Sequence, residues 1–435
     1  MKRIVNAFLG TLHGKTGTSV LSKRLGILGA LAIMPAFAQM TAPQIPLTTL
    51  YSFAGGSDGA TPYNEALVIG SGGELYGTTS AGGGSNYGTV FMLAPPGTGG
   101  GSWSETVLHA FNGSDGSLPQ AGVVIGPGGV LYGTAEQGGS SSSGVVFSLT
   151  PPASPGGAWT EKTIYSFKGG TDGAGPRQLV VGSTGLYGTT DGGGPSADGT
   201  VFSLTPPASP GGSWTETTLH AFACGDNDGC TPYGGVVIGK GGVLYGTTFY
   251  GGPTATGTVF SLTPPASPSG SWTETLLHTF TGGSDAANPY VGVTVGSGGV
   301  LYGASQYGGT FGGGTVFAVT PPASAGGLWT ETVLQSFTFA GRDGQGPVAG
   351  IVIRPGGNVC STAPDGGASD KGVVFCLQQP ASPGGAWTEV VLHSFRGSDG
   401  ANPVGALTIG AGKVFYGVTS NGGASNHGTV YELVL

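Results

Sequence analysis

A phrase that opens with tryptophan recurs six times and constrains the fold of this chain more than any other feature. After each phrase come an Asp-Gly-type turn, an apolar run, a Gly-Gly turn, a Leu-Tyr-Gly-Thr-type run, a glycine-rich loop and a Val-Phe-type run. These apolar runs are short and lie between turn signals, which is the pattern of strands rather than helices. The chain is therefore a tandem array of β-repeats. The tryptophans are 55 to 58 residues apart, at Trp103, Trp159, Trp214, Trp272, Trp329 and Trp387.

One repeat contains four predicted strands. In the second repeat they are strand A (Gly122 to Gly126), strand B (Val130 to Thr134), strand C (Gly144 to Thr150) and strand D (Trp159 to Phe167). Their short connections predict an antiparallel meander. A four-stranded unit of this length that recurs in tandem is typical of a propeller blade.

The repeats are counted by the aspartate in the turn between strands D and A. There are seven copies: Asp58, Asp115, Asp172, Asp228, Asp285, Asp343 and Asp399. The seventh repeat stops after strand C, and its missing strand D is matched by Leu47 to Phe53 near the N-terminus. The sequence thus predicts an all-β, seven-bladed β-propeller whose N-terminal strand completes the last blade. An open β-solenoid is the alternative, but it would not need a strand from the other end of the chain.

The first 38 residues differ from the rest. They contain five basic residues and no acidic one, then an apolar run from Leu25 to Phe37, with small residues at Ala36 and Ala38. This pattern indicates a secretory signal peptide, residues 1–38, ahead of a single domain, residues 39–435. A membrane anchor is the alternative, but the run is shorter than the roughly 20 residues of a membrane span. We expect a secreted protein, extracellular or periplasmic.

Charge limits the partners. Five of the 14 basic residues lie in the leader and none of the 22 acidic residues does, so the mature chain has a net charge of about −13. Nucleic acids and anionic membranes select basic surfaces, so neither is an expected partner. No later apolar run is long enough to span a bilayer, and we expect a monomer.

The four cysteines form two groups. Cys224 and Cys230 bracket a short loop, whereas Cys360 and Cys376 lie on predicted neighbouring strands. An even number of cysteines in an exported chain favours disulfides, and neither spacing is that of a zinc or redox motif.

Four of the repeats share the segment Gly-Thr-Val-Phe, at Gly88 to Phe91, Gly199 to Phe202, Gly257 to Phe260 and Gly314 to Phe317. With the Tyr-Gly strand and Gly-Gly loop before it, this segment resembles the GloVer-type tandem repeat. That family consists of exported bacterial proteins whose members carry different C-terminal anchoring segments. The resemblance implies export; it implies no established activity and transfers no catalytic residue. Repeat six departs from the pattern at Cys360.

Three recurring polar positions are interpreted as structural. The turn aspartates suit hydrogen bonding to nearby backbone amides. Calcium is the weaker alternative, and Asp226 and Asp228 are its best candidates, although they do not fit an EF-hand. The strand D histidines share their position with Tyr51, Tyr165 and Gln335, which indicates packing or hydrogen bonding rather than a metal ligand; they are His109, His220, His278 and His393. The repeated strand D glutamates are interpreted in the same way. No metal or cofactor is expected.

The loops between strands B and C vary while their flanks repeat, so they are the expected location of function. The candidate ligand-binding residues are Tyr87, Phe249, Tyr250, Tyr307, Asp365 and His427. Exposed aromatic rings beside polar groups suit sugar binding, although ordinary loop residues remain the alternative. We expect a non-catalytic propeller that binds a glycan or an extracellular protein, or that serves as a structural module.

A secreted polysaccharide hydrolase or lyase is the alternative function. It would use His427 with Asp365 or Asp370 as base and partner. No catalytic motif supports this pairing in the sequence. Acidic residues from neighbouring blades that meet at the central axis would favour it.

Overall fold

The computed structural model describes residues 44–435 except 64–65, 98–99, 155, 210, 268–269, 325, 340 and 383. Seven four-stranded antiparallel sheets follow one another along this part of the chain and form a ring. The protein is a seven-bladed β-propeller, as the repeat predicts. The predicted signal peptide lies outside the described residues. Within them, no helix has the length and apolar character that crossing a membrane requires.

Each blade runs from strand A to strand D. The strands are, in this order, Val68–Ile69, Leu75–Thr79, Thr89–Ala94 and Ser104–Ala110 in blade 1; Val124–Ile125, Leu131–Ala135, Val145–Thr150 and Thr160–Ser166 in blade 2; Ala174–Val181, Leu186–Gly192, Thr200–Thr205 and Thr215–Ala221 in blade 3; Val237–Ile238, Leu244–Thr248, Thr258–Thr263 and Thr273–Thr279 in blade 4; Thr294–Val295, Leu301–Ser305, Thr315–Thr320 and Thr330–Ser336 in blade 5; Val352–Ile353, Val359–Ala363, Val373–Gln378 and Thr388–Ser394 in blade 6; and Thr408–Ile409, Val414–Thr419, Thr429–Val434 and Leu47–Ser52 in blade 7.

Strand A has only two residues in six blades, so the prediction of Gly122 to Gly126 was too long. The segment before it leaves the sheet and its carbonyls accept side-chain bonds from the neighbouring blade. Short 3-10 turns follow strand A in four blades, at Pro127–Gly129, Lys240–Gly242, Ser297–Gly299 and Ala411–Lys413, and one precedes strand A of blade 3 at Gly170–Asp172. Two further short strand pairs join Gly229–Cys230 to Tyr250–Gly251 and Ala286–Ala287 to Tyr307–Gly308.

The ring closes as predicted. Strand Leu47–Ser52 pairs antiparallel with Thr429–Val434, with Leu47 opposite Leu433 and Ser52 opposite Thr429. The completed blade 7 then packs against blade 1, where Trp103 meets the ring of Tyr416 edge-on at 6.1 Å. No blade face between the termini is left without a partner, which explains why the chain exchanges a strand between its ends.

Aromatic pairs fill the space between blades. A buried phenylalanine after each strand D packs edge-on against strand C of the next blade, with ring centroids 4.9–5.2 Å apart. The partner is phenylalanine in six blades and Tyr431 in blade 7. A second pair joins the strand B tyrosine to the tryptophan of the next blade, as in Tyr76 and Trp159. The repeated Trp and Phe therefore hold the ring together, as expected of side chains that bury large areas.

Repeat six departs from the pattern at its junction with blade 7, the blade that lacks the recurring tryptophan. Its strand B has Cys360 in place of tyrosine, and Ile45 stands ahead of strand D of blade 7 where the other blades have tryptophan. Both residues belong to one buried cluster that includes Cys376. The structure forms the predicted disulfide between Cys360 and Cys376, and this bridge occupies the junction that lacks the Tyr–Trp pair. The second predicted disulfide, Cys224–Cys230, closes the turn ahead of blade 4.

A buried hydroxyl also links each blade to the next. In blades 5 and 7, a strand A threonine donates to the next blade: Thr294 to the carbonyl of Ile351 at 2.6 Å, and Thr408 to that of Leu67 at 2.5 Å. In these two blades the strand B position is Ala304 or Val418. In the other five a strand B threonine donates instead at 2.7–3.1 Å, namely Thr78, Thr134, Thr189, Thr247 and Thr362.

Candidate ligand-binding site at the central axis

The D–A turns and the B–C loops lie on one face of the ring. In blade 4, Cys230 of the turn pairs with Tyr250 of the loop, and in blade 5 Ala287 pairs with Tyr307. Blade 3 forms the same contact at the start of its long strand A, and the other four blades form it as isolated bridges. The expectation that the variable loops share a face with the turns is therefore confirmed.

One residue from each D–A segment occupies an equivalent position at this face. It follows a proline in every repeat, and the residue before that proline has a φ of 53–64°. The same left-handed turn therefore presents the same position seven times, although non-glycine residues adopt it only at a cost. We call these residues the axial ring: Tyr63, Gln120, Arg177, Tyr233, Tyr290, Val348 and Val404.

Contacts within the axial ring cross the centre of the propeller. Tyr63 belongs to blade 1 and Tyr290 to blade 5, and these blades are not neighbours. Tyr63 nevertheless lies close enough to Tyr290 to raise the pKa of the Tyr290 hydroxyl. Burial makes the largest contribution to raising the pKa of Tyr290 well above its ordinary value, and the interaction with Tyr63 makes the next largest. Side chains from blades 1 and 5 thus approach each other at this face.

Arg177 is the centre of a buried polar network. Its Nη1 donates to Glu136 Oε2 at 3.2 Å and to Gln120 Oε1 at 3.1 Å, and its Nε donates to Asp191 Oδ2 at 3.1 Å. The guanidinium lies 5.0 Å from the centre of the Tyr233 ring, in a cation–π arrangement. Only 9% of the arginine side chain is exposed, against 20% of each carboxylate. Acidic residues of blades 2 and 3 therefore meet at the axis.

The network has one positive and two negative groups when fully ionised. Burial raises the pKa of Glu136, and the charge of Asp191 adds to this, while Arg177 opposes it. Burial alone would lower the pKa of Arg177, but Asp191 and Glu136 outweigh it and raise that pKa. The arginine is therefore permanently charged, and burial raises the pKa of the Glu136 carboxyl beside it.

Aromatic rings continue from this network to the surface. Tyr233 stacks on Tyr290, with centroids 5.0 Å apart and planes at 24°. Phe249 packs edge-on against Tyr233 at 5.3 Å and against Tyr250 at 4.7 Å. The exposed fraction is 46% for Tyr250 but only 8% for Phe249, so Phe249 is not the exposed aromatic that its loop position suggested. It is covered because three rings surround it. We call the axial ring together with Glu136, Asp191 and Phe249 the axial cluster.

The structure separates the other sequence candidates. Tyr307 is 46% exposed on the B–C loop of blade 5, where it pairs with Ala287. Tyr87 and His427 occupy equivalent positions in blades 1 and 7, and each lies against a glycine of the next D–A turn, Gly113 and Gly55. Asp365 is exposed.

The proposed acid–base pairing is not formed among the described residues. Asp365 accepts a hydrogen bond from Asn402 Nδ2 at 3.3 Å, and Asp370 accepts one from the backbone amide of Gly366 at 3.0 Å. Neither carboxylate forms an ion pair with His427 in the described part of the chain.

The turn aspartates act within their own turns. Asp58 accepts hydrogen bonds from the backbone amides of Ala54 and Gly56 and from Tyr51 Oη. Asp228, a weak calcium candidate with Asp226, accepts from the amides of Ala223 and Gly229 at 2.8 and 2.7 Å. These contacts agree with the interpretation as turn residues. Calcium binding by Asp226 and Asp228 stays a prediction.

The axial ring was not predicted from the sequence. Arg177, Tyr233 and Tyr290 stand in the D–A segment, which was interpreted as turn structure. The available signal was the residue after the recurring proline, which differs between repeats while the proline and the turn aspartate five positions before that residue are present in all seven. A second omission is Phe339, which is 59% exposed and lies beside Gly312 on the B–C loop of blade 5.

The fold and the axial cluster define a seven-bladed propeller with a polar and aromatic site at one end of its axis. The chain belongs to the Gloeobacter/Verrucomicrobia repeat family, whose model matches residues 36–185, 98–271 and 267–435. This confirms the resemblance inferred from the Gly-Thr-Val-Phe segments. No curated protein matches the sequence.

Solved structures share the architecture at low sequence identity. A polysaccharide lyase of family PL25, an ulvan lyase bound to a GlcA(1-4)Rha3S repeat, has a TM-score of 0.52 at 10% identity, over 89% of this chain and 96% of its own. A puromycin-hydrolysing peptidase of Mycobacterium tuberculosis has a TM-score of 0.50 at 11% identity, over 87% of this chain and 52% of its own. A Trypanosoma rangeli sialidase in complex with sialic acid has a TM-score of 0.41 at 10% identity, over 91% of this chain and 59% of its own. The chain thus spans little more than half of the peptidase and the sialidase. These likenesses describe the fold.

Proposed function

We propose that this protein is an exported, non-catalytic propeller that binds a neutral glycan over its axial cluster. The observation that carries the proposal is the continuous path of aromatic rings from exposed Tyr250 through Phe249 to Tyr233 and Tyr290 at the axis. Aromatic faces cover the apolar side of a sugar ring, and the carboxylates beside them accept hydrogen bonds from its hydroxyl groups. Tyr307 adds a second exposed aromatic ring in the next blade.

The charge of the site favours neutral sugars over acidic ones. Arg177 is the cation within the cluster's polar network, and two carboxylates already occupy it. An anionic sugar would therefore meet a net negative site on a protein that is itself acidic, and like charges repel. A lyase acting on uronates would need a free cation for the substrate carboxylate, so the same network argues against that activity.

Export is part of this proposal. Its support is the leader-like composition of residues 1–38 and the two disulfides, which persist in oxidising compartments. An extracellular protein partner or a structural role remains the outcome if no glycan binds.

A second candidate is a glycoside hydrolase, and one observation favours it. Glu136 and Asp191 come from neighbouring blades and converge on Arg177, which meets the condition set out above for an enzyme. Hydrolysis of glycosidic bonds uses two carboxyl groups, one with a raised pKa as the acid and one that stays ionised. Burial raises the pKa of Glu136, so it would be the acid and Asp191 the nucleophile or base.

Calorimetric titration with neutral polysaccharides (a glucan, a mannan and a xylan) and with a polyuronate tests the binding proposal. We expect saturable binding of a neutral polymer and a loss of roughly 3- to 10-fold in affinity for Tyr250→Ala, the range expected for one aromatic contact. Tyr87→Ala is the matched control, because Tyr87 is similarly exposed (43%) but lies three blades away. Equal losses in both variants, or tighter binding of the polyuronate, would contradict the proposal.

Release of reducing ends from the same polymers distinguishes the second candidate. A binding protein releases none, whereas a hydrolase releases sugar and loses this activity on Glu136→Gln while its tryptophan fluorescence stays native. Activity that persists in Glu136→Gln would exclude Glu136 as the acid.

A further inference from the structure

Titratable side chains of adjacent blades meet at the junctions between blades, away from the axial cluster. At each of six junctions, a strand D side chain and the turn aspartate that follows it lie near a glutamate from strand D of the next blade. The strand D residue is tyrosine at two junctions, glutamine at one and histidine at three. The glutamates are Glu105, Glu161, Glu216, Glu274, Glu331 and Glu389.

The junction between blades 4 and 5 has an arrangement suited to a metal ion. One ligand atom each from His278, Asp285 and Glu331 lies within 4.8 Å of the others. His278 Nε2 is 3.7 Å from Asp285 Oδ2, too far for a hydrogen bond. This nitrogen and Glu331 Oε1 are both buried atoms without a hydrogen-bond partner. A histidine nitrogen and a carboxylate oxygen that face the same small space are thus both left unsatisfied.

We propose that His278 Nε2, Asp285 and Glu331 bind a divalent metal ion of the zinc class. Imidazole nitrogen with carboxylate oxygens suits Zn²⁺, which accepts three protein ligands and a water molecule in tetrahedral geometry. Ca²⁺ requires six to eight oxygen ligands, more than this junction supplies. The ion satisfies both orphan atoms and offsets the repulsion between the two carboxylates.

The surroundings of the site support this assignment. Asp285 is held in place by the backbone amides of Thr281 and Ala286, each at 2.8 Å, and such bonds orient a ligating carboxylate. The side chains of His278 and Asp285 are 20% and 16% exposed, so an ion can enter from solvent. The sequence argued against a metal at the histidine position because other repeats have tyrosine there. It could not show the glutamate that the next blade adds.

Other junctions of the same ring lack the unsatisfied pair. At the junction between blades 1 and 2, His109 Nε2 is already 3.1 Å from Asp115 Oδ2. At the junction between blades 6 and 7, His393 bonds to Asp399 at 2.9 Å and no glutamate follows in strand D of blade 7. The competing occupant at the proposed site is a proton, because burial, with the charge of Asp285, raises the pKa of Glu331 to about 7.

The test is calorimetric titration of the purified, EDTA-treated protein with Zn²⁺ at pH 7.5, together with thermal unfolding with and without the ion. We expect one saturable site and a higher Tm with Zn²⁺, since a ligand that binds the native state stabilises it. His278→Gln and Glu331→Gln should each weaken binding by more than about tenfold, a loss that even outer-shell partners can cause. Glutamine is compatible with the fold at position 278, because Gln335 occupies the equivalent place.

His393→Gln is the matched control and should leave Zn²⁺ binding unchanged. Absence of saturable binding, or binding unaffected by both His278→Gln and Glu331→Gln, would overturn the proposal. Equal affinity for Ca²⁺ would contradict the zinc class. If Glu331→Gln misfolds by circular dichroism, His278→Gln alone decides the result. No glycan is involved, so the outcome is independent of the proposed function.

Discussion

The two ends of the D–A segment behave in opposite ways across the seven repeats. At one end the turn aspartate is present in every copy, and five residues later the axial ring has four different residue types. The backbone is the same at both ends, since the residue before the proline is left-handed in all seven repeats. A difference between copies at the second position therefore does not come from the fold.

The two positions have different structural roles within one short segment. Each turn aspartate serves only its own turn and junction, so a ring of seven blades needs it seven times. The ring residues meet each other at the axis, so seven identical side chains would crowd one point. Arg177 can be satisfied only because its neighbours are Gln120, Tyr233 and the carboxylates of blades 2 and 3. The position that repeats in every blade, the turn aspartate, therefore belongs to the scaffold, whereas the position that differs between blades, the axial ring, belongs to the candidate site.

The largest expected effect is at the axis. Arg177→Ala leaves Glu136 and Asp191 without their cation in a nearly buried network, and breaking such a network from one side costs about 3–5 kcal/mol. Chemical denaturation at pH 7 measures this loss in the free energy of unfolding. The triple variant Arg177→Met, Glu136→Gln, Asp191→Asn should recover most of it, because no charge is then left unpaired. A triple variant as unstable as Arg177→Ala would show that packing, not charge, dominates at the axis.

A pH dependence is expected at the junctions. Burial, with the charge of Asp343, raises the pKa of Glu389 to about 9 from its ordinary 4.5. The folded state then keeps a proton that the unfolded state loses, so this contribution is complete below pH 4.5 and is lost as the pH rises to 9. Glu389→Gln should gain stability relative to the natural protein across this range, and Gln335 can still donate its hydrogen bond to the new amide.

Glu105→Gln is the control for this pH dependence. Burial, with the charge of Asp58, raises the pKa of Glu105 only to about 7, so its relative gain should level off near that pH. Urea denaturation between pH 5 and 9 compares the two variants. Parallel curves above pH 7 would contradict the assignment of the higher pKa to Glu389.

The sequence predicted the architecture because each strand is encoded locally and repeated seven times. Strand order, ring closure by Leu47 to Phe53 and both disulfides follow from alternation, turn residues and spacing. The axial cluster could not be predicted in the same way. Tyr63 and Tyr290 are 227 positions apart and meet only because the ring places blades 1 and 5 across one axis. The sequence predicts an exposed Phe249 because two of the rings that cover it, Tyr233 and Tyr290, come from D–A segments distant in the chain.

The turn aspartates should show the opposite behaviour from the axial ring. Asp58→Ala and Asp399→Ala each leave backbone amides and a strand D side chain without an acceptor, at a cost of about 1–3 kcal/mol. Because the turns are equivalent, the two losses in unfolding free energy should agree within about 0.5 kcal/mol, the usual spread of a single hydrogen-bond contribution. Arg177→Ala and Gln120→Ala should differ by more. If the losses in unfolding free energy of the two aspartate variants differed widely, the turn aspartates would not be equivalent, and the distinction between scaffold and site would be wrong.

The smallest expected effect tests whether the junctions are interchangeable. Thr247 Oγ1 donates a hydrogen bond to the carbonyl of Val291 at 2.7 Å. Thr247→Val removes this buried bond, and a buried acceptor left without a partner costs about 1–3 kcal/mol. We expect a loss near the lower end of this range, because a carbonyl oxygen can accept a second hydrogen bond. Blade 5 shows the remedy: Ala304 stands at the equivalent position, and Thr294 of strand A bonds to the next blade instead. Val237 is the equivalent of Thr294 in blade 4, so Val237→Thr should restore stability in the Thr247→Val background and have little effect alone. Thermal unfolding of the two single variants and the double variant measures this coupling. If the changes in stability of the two single variants simply add in the double variant, the threonine of one blade cannot be replaced by the arrangement of another. The seven junctions would then differ from one another, as the residues of the axial ring do.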